Sequence, residues 1–172
     1  MAVLLNQTSN LRVRLDLLRR RSDGVRTPAA LEMRFAVERY RHAQPPAEHG
    51  FSPILEVPQA TLLDMDLIAF LQQLEEVLAE KAEQAAFEAS VEPTIGLRIL
   101  RATPELLMVE AGVDLLNVLE TVGGASSARG SDLMLVRFQT TQRAALAFCA
   151  SLLAEFARFP TDPTRVHPGE AG

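Results

Sequence analysis

Between positions 62 and 81 the chain reads LLDMDLIAFLQQLEEVLAEK, and this stretch constrains the fold more than any other. Leu63, Leu67, Phe70, Leu71, Leu74, Val77 and Leu78 recur at helical spacing, which gives a helix here one continuous apolar face. Gln72, Gln73, Glu75, Glu76, Glu80 and Glu83 fall on the opposite side. Thr61 or Asp64 can cap the helix, and Asp64 and Asp66 suit the positive end of its dipole. An amphipathic helix must bury its apolar face on a partner element, and the flanking segments read as strands.

Leu11, Val13, Leu15 and Leu17 alternate with Arg12, Arg14, Asp16 and Leu18, a period of two. After turn formers in 21–28, Leu31, Met33, Phe35 and Val37 alternate with Glu32, Arg34, Ala36 and Glu38. The two runs predict an antiparallel hairpin with one apolar and one charged face. Pro45, Pro46, Gly50 and Pro53 make 43–53 a loop, 51–57 fits a third strand, and Pro58 argues for an edge. Further strands are expected at 94–101, 106–111 and 133–139, with a turn at 102–105 and a loop at 123–132. The run to 122 fits strand or a helical turn.

A second helix, capped by Thr140 or Thr141, extends to about Phe159 with Ala145, Cys149, Leu152, Leu153 and Phe156 on one face, and Pro160 stops it. The expected architecture is α+β: a mostly antiparallel sheet of five to six strands with two amphipathic helices packed on it. Residues 1–160 form a single domain and 161–172 a flexible C-terminal tail. No internal repeat of solenoid type is visible.

Composition narrows the function classes. Apolar residues are 48% and charged residues 23% of the 172, ordinary for a soluble globular chain. No apolar run approaches the roughly 20 residues that span a bilayer. The N-terminal stretch MAVLLNQTSN lacks the pattern of an export signal, and the single cysteine cannot form an internal disulfide, so a cytoplasmic location is expected. Net charge is −5 but uneven: residues 1–41 carry nine arginines and four acids, and the remainder nets −10.

Few residues offer chemistry. His42, His49 and His167 lack ligand spacing with each other or with Cys149, and no paired CxxC or HExxH occurs, so no metal or other cofactor is expected. Asp64 and Asp66 point in different directions on a helix and are better explained by helix capping. Cys149, on an apolar helix face, reads as a core thiol. Ser126, Ser127 and Ser131 lie in a glycine-containing loop without a nucleophile elbow, and the loop lacks a phosphate-cradling signature. Arg12, Arg14, Arg19, Arg20, Arg21, Arg26, Arg34, Arg39 and Arg41 could attract phosphates. The acidic total, the absence of Trp and the lone Tyr40 weigh against nucleic acid.

Taken together, the strands ending near Tyr40, the stretch VPQATLLDMDLIAFLQQLEEVLA, the stretch FEASVEPTIGLRIL and the closing helix ending in Glu155–Pro160 resemble the WapI-type immunity proteins over about residues 30 to 160. The chain departs from that pattern by lacking tryptophans around the first helix and by adding a basic N-terminal strand. The resemblance implies a small bacterial α+β protein that neutralises a partner toxin by contact, with no catalytic residues of its own. The expected function is thus a non-enzymatic binding protein. Glu75, Glu76, Glu80 and Glu83 are its candidate contacts with a partner, a basic toxin domain under the immunity reading. The alternative is a structural or adaptor domain that homodimerises through a strand edge or an apolar helix surface, and nucleic-acid binding by the basic hairpin ranks below both.

Overall fold

The computed structural model describes residues 1–21, 29–41, 50–88, 95–114 and 133–159. Strands β1 (Ala2–Leu5), β2 (Leu11–Arg21), β3 (Ala30–Arg41) and β4 (Gly50–Leu63) form an antiparallel meander, and the chain passes directly from Leu63 into α1 (Asp64–Leu78). The pattern then recurs. Strands β5 (Gln84–Glu88), β6 (Ile95–Arg101), β7 (Leu106–Asp114) and β8 (Leu133–Thr141) form a second meander that runs directly into α2 (Gln142–Phe156).

The α+β class and the two helices agree with expectation, but the single sheet of five to six strands does not. Among the described residues there are two antiparallel sheets of four strands each. The difference comes from β1 and β5, four and five residues long, which offer too little alternation to register as strands. Strand β4 also extends well past the expected 51–57, so that Pro53 and Pro58 lie inside it. It tolerates them because it is an edge strand, and its pairing with β3 shifts register between Met33 and Phe35 and between Val37 and Glu38, close to the two prolines. Residues 22–28, 42–49 and 115–132, which hold most of the expected turns and loops, lie outside the described residues, as does the tail 161–172.

The two halves match residue for residue at the strand–helix junction. Ala60 and Phe138, Leu62 and Thr140, Leu67 and Ala145, Phe70 and Phe148, Leu71 and Cys149, Leu74 and Leu152, and Val77 and Glu155 are each 78 positions apart, and every one is buried. The backbone repeats too: Asp64 N–H donates to Ala29 C=O at 3.0 Å, and Gln142 N–H to Glu105 C=O at 3.4 Å. The chain is thus a twofold ββββα repeat. Only the second helix has a side-chain cap, from Thr141 Oγ1 to Ala144 N–H at 3.2 Å; at the first, Leu63 offers none.

The helices cross over between halves. Helix α1 lies along β5 of the second sheet and α2 along β1 of the first, with the helices touching each other. Phe70 meets Phe87 edge to face at 5.0 Å, and one continuous core joins both sheets and both helices. Burial of each such side chain contributes about 1.5–3 kcal/mol. Neither half closes its core without the other's helix.

Candidate partner-binding face

The helix layer leaves one side to solvent, and its two halves differ in chemistry. On α1 the exposed positions include Gln72, Gln73, Glu75 and Glu76, followed by Glu80 and Glu83 in the turn to β5. All four candidate glutamates are exposed, and they follow one another from the C-terminal half of α1 into that turn. Among the described residues Glu80 is the one drawn to a cation, with Arg101 Nη1 at 3.6 Å.

The backbone at Glu80 is unusual. Lys81 N–H donates to Glu76 C=O at 2.8 Å and Glu80 N–H to Val77 C=O at 3.1 Å, the paired bonds that close a helix by a Schellman turn. The residue at its pivot must take positive φ and is ordinarily glycine; here it is Glu80, at φ 62°. A left-handed glutamate costs about 1 kcal/mol or more, and it projects a carboxylate where the usual residue has no side chain.

On α2 the exposed face is apolar. Leu146 is 52% and Leu153 39% exposed, and Ala147, Ala150 and Ala154 lie exposed between and beside them. This corrects the expectation that Leu153 is buried: Phe148 takes the core position and Leu153 turns outward. An open groove of about 380 Å³ runs where the helices meet, with Glu75, Leu78 and Ala79 on one wall and Leu146, Cys149, Ala150 and Leu153 on the other. It offers an apolar floor with one acidic side chain, Glu75, in its wall.

Cys149 is 4% exposed at the base of this groove. Burial, and then the nearby Glu75 carboxylate, push its thiol above the ordinary value of 9.0, so at neutral pH it is a protonated core group. Among the described residues no group of three or more His, Cys, Asp and Glu is placed to hold a metal ion. His42, His49, His167 and the three loop serines lie outside the described residues. Asp64 and Asp66 occupy the first turn of α1, and Asp64 is buried in an ion pair with Arg20.

The arginine-rich face is largely neutralised from within. On the outer side of the first sheet Arg12 and Arg14 both reach Glu38, at 2.5 and 2.9 Å, and Arg14 also meets Asp16 at 3.2 Å. Arg19 forks onto Glu32 at 2.8 and 2.9 Å, and Arg34 stands 3.9 Å from Glu56. Arg12 further stacks over Phe51 at 3.9 Å. Guanidinium groups held this way are poorly disposed to gather phosphates, because each would first have to leave a carboxylate. Alternation placed these arginines on one face, but gave no sign that the cross-strand partners at 32 and 38 would take them up.

Among the described residues no helix is long and apolar enough to cross a membrane. No family model matches the chain, and no curated protein or solved structure does so either.

Proposed function

We propose that the protein is a non-enzymatic binding protein whose helix layer covers part of a protein partner, and that the partner presents a basic, partly apolar segment. The immunity reading is the specific form of this proposal: the partner is a toxin domain, met in the cytoplasm. The observation that carries it is the apolar groove between α1 and α2 with Glu75 on its wall, continued along the chain by the exposed Glu76, Glu80 and Glu83. Leu146 and Leu153 supply area that gains from leaving water, and the glutamates select charge and speed encounter. Glu80 adds weight, since its left-handed backbone costs strain that the exposed pair with Arg101 offsets only a little.

The test is co-purification with the product of the adjacent gene, with growth protection as a second readout. A 1:1 complex is expected, weakened by salt and lost on combined reversal of Glu75, Glu76 and Glu80 to Lys, with the melting temperature unchanged. Absence of both a complex and protection overturns the immunity reading. A complex indifferent to the triple reversal overturns the choice of face.

A further inference from the structure

Two four-stranded sheets have four edges, and three are dealt with inside the molecule. Strand β1 has α2 alongside it and β5 has α1. Strand β4 is blunted by Pro53, Pro58 and two register shifts, the devices that keep an edge from pairing. Strand β8 has none of these. It contains no proline, its register with β7 is unbroken from Leu133 to Thr141, and Met134 and Leu135 are 37% and 45% exposed on its opposite faces.

The direction of its free groups follows from one bond. Gln7 N–H donates to Gln139 C=O at 2.9 Å, so the backbone groups of Gln139 face away from β7. In an antiparallel ladder the direction repeats every second residue, so Arg137, Leu135 and Leu133 also turn their N–H and C=O outward. Gln7 closes the edge at 139. Among the described residues, no backbone group bonds to the edge from 133 to 137.

We propose that this open edge pairs with a second copy of the chain, β8 against β8 antiparallel about a two-fold axis at Leu135, joining two four-stranded sheets into one of eight. The sequence of the edge is complementary to itself in that register. Leu135 lies opposite its own copy on the outer face, and Met134 meets Val136 of the second copy on the other. The two Arg137 side chains, each already held by Glu110 at 2.5 Å, stay about 14 Å apart along the strands. Three outward-facing residues from each copy satisfy one another's backbone groups, as an isologous interface requires. A five-residue strand contact is smaller than the roughly 1,200 Å² at the low end of stable interfaces, so the dimer depends on concentration. Each copy carries −5, so salt strengthens it, the opposite of its effect on a partner drawn by the glutamates.

Sedimentation velocity of the full chain over a wide concentration range tests this. A monomer–dimer equilibrium is expected that Leu135→Lys or Leu135→Pro weakens about tenfold or more, while Leu146→Lys leaves it unchanged. Leu135→Pro removes only an outward N–H on an edge strand, and thermal melting checks that both variants fold. In a Cys149→Ala background, Leu135→Cys should cross-link to its own copy with oxidised glutathione, because paired Cα atoms about 5.5 Å apart fit a disulfide. A monomer at every concentration overturns the proposal. So does a dimer that survives both Leu135 variants, or one that responds to Leu146→Lys instead.

Discussion

Arg20 and Arg101 stand at the same place in the two halves and do the same thing to opposite helices. Each pairs across its sheet with the buried leucine that opens the third strand, Arg20 with Leu31 and Arg101 with Leu107. Arg20 Nε donates to Phe159 C=O at 3.1 Å, just past the end of α2, and Arg101 donates to Val77 C=O near the end of α1. A cation at a helix C-terminus satisfies orphan carbonyls and the negative end of the dipole. The chain reaches the same geometry by two routes. In β6, Arg101 follows Ile95, Leu97 and Ile99 inward by simple alternation, whereas in β2 the extra residue Leu18 breaks the register and turns Arg20 inward.

This pairing predicts unequal costs. Arg20 also binds Asp64, which is 7% exposed, whereas the acid beside Arg101 is Glu80, 61% exposed. Removing Arg20 strands a buried carboxylate, so Arg20→Ala should cost about 3 kcal/mol or more. Arg101→Ala frees Glu80 to water and should cost about 1–2 kcal/mol, the loss of a charged hydrogen bond to Val77 C=O. Urea unfolding of the two variants and of Arg20→Ala/Asp64→Asn should show the double variant recovering part of the Arg20 loss.

Glu80→Gly should raise stability by about 1 kcal/mol. It relieves a side chain held at positive φ, and the exposed pair with Arg101 contributes little against that. Binding of the proposed partner should weaken in the same variant. Thermal melting and partner titration on one sample would then move in opposite directions, whereas a purely structural Glu80 would move neither the affinity nor the salt dependence.

The twofold repeat was hidden because equivalent positions hold different chemistry. Leu62 and Thr140 share one buried site, as do Leu71 and Cys149, and Val77 and Glu155. Thr140 satisfies its hydroxyl by donating to Leu5 C=O, and Glu155 accepts from Leu17 N–H, so polar residues stand where the first half is apolar. What was legible rested on long periodic runs. Leu11 to Leu17 alternates cleanly, Leu67 to Leu78 keeps helical spacing, and Thr141 is the one of the two expected threonines that caps. Of the candidate site, the glutamates could be read from helical spacing, but Leu146 and Leu153 could not, because AALAFCASLLAEF is apolar on nearly every side and periodicity names no inner face. The left-handed turn at Glu80 had no glycine to announce it.

Cys149 predicts a pH effect with a definite sign. The folded thiol titrates above its ordinary value of 9.0, so the folded state favours the protonated form. Its contribution to stability is complete below the unfolded pKa and declines as pH rises through that value toward the folded one. The difference in unfolding free energy between the native chain and Cys149→Ala should therefore shrink as pH rises through 9.0. Iodoacetamide should label the folded protein slowly at neutral pH and promptly in urea.

The two exposures on the helix layer separate scaffold from surface. Leu71 is 4% exposed and faces the core, so Leu71→Asp places an unpaired charge among apolar neighbours and should unfold the chain. Leu146, half exposed on the groove wall, can turn an aspartate to water, so Leu146→Asp should keep the melting temperature within a few degrees. The same variant should abolish or strongly weaken the proposed complex, because a charge at the centre of an apolar contact must be desolvated without a partner. Circular dichroism on both variants, with partner titration on the second, reads both effects. If Leu146→Asp binds as the native chain does, the groove is not the contact, and the acidic ridge acts without it.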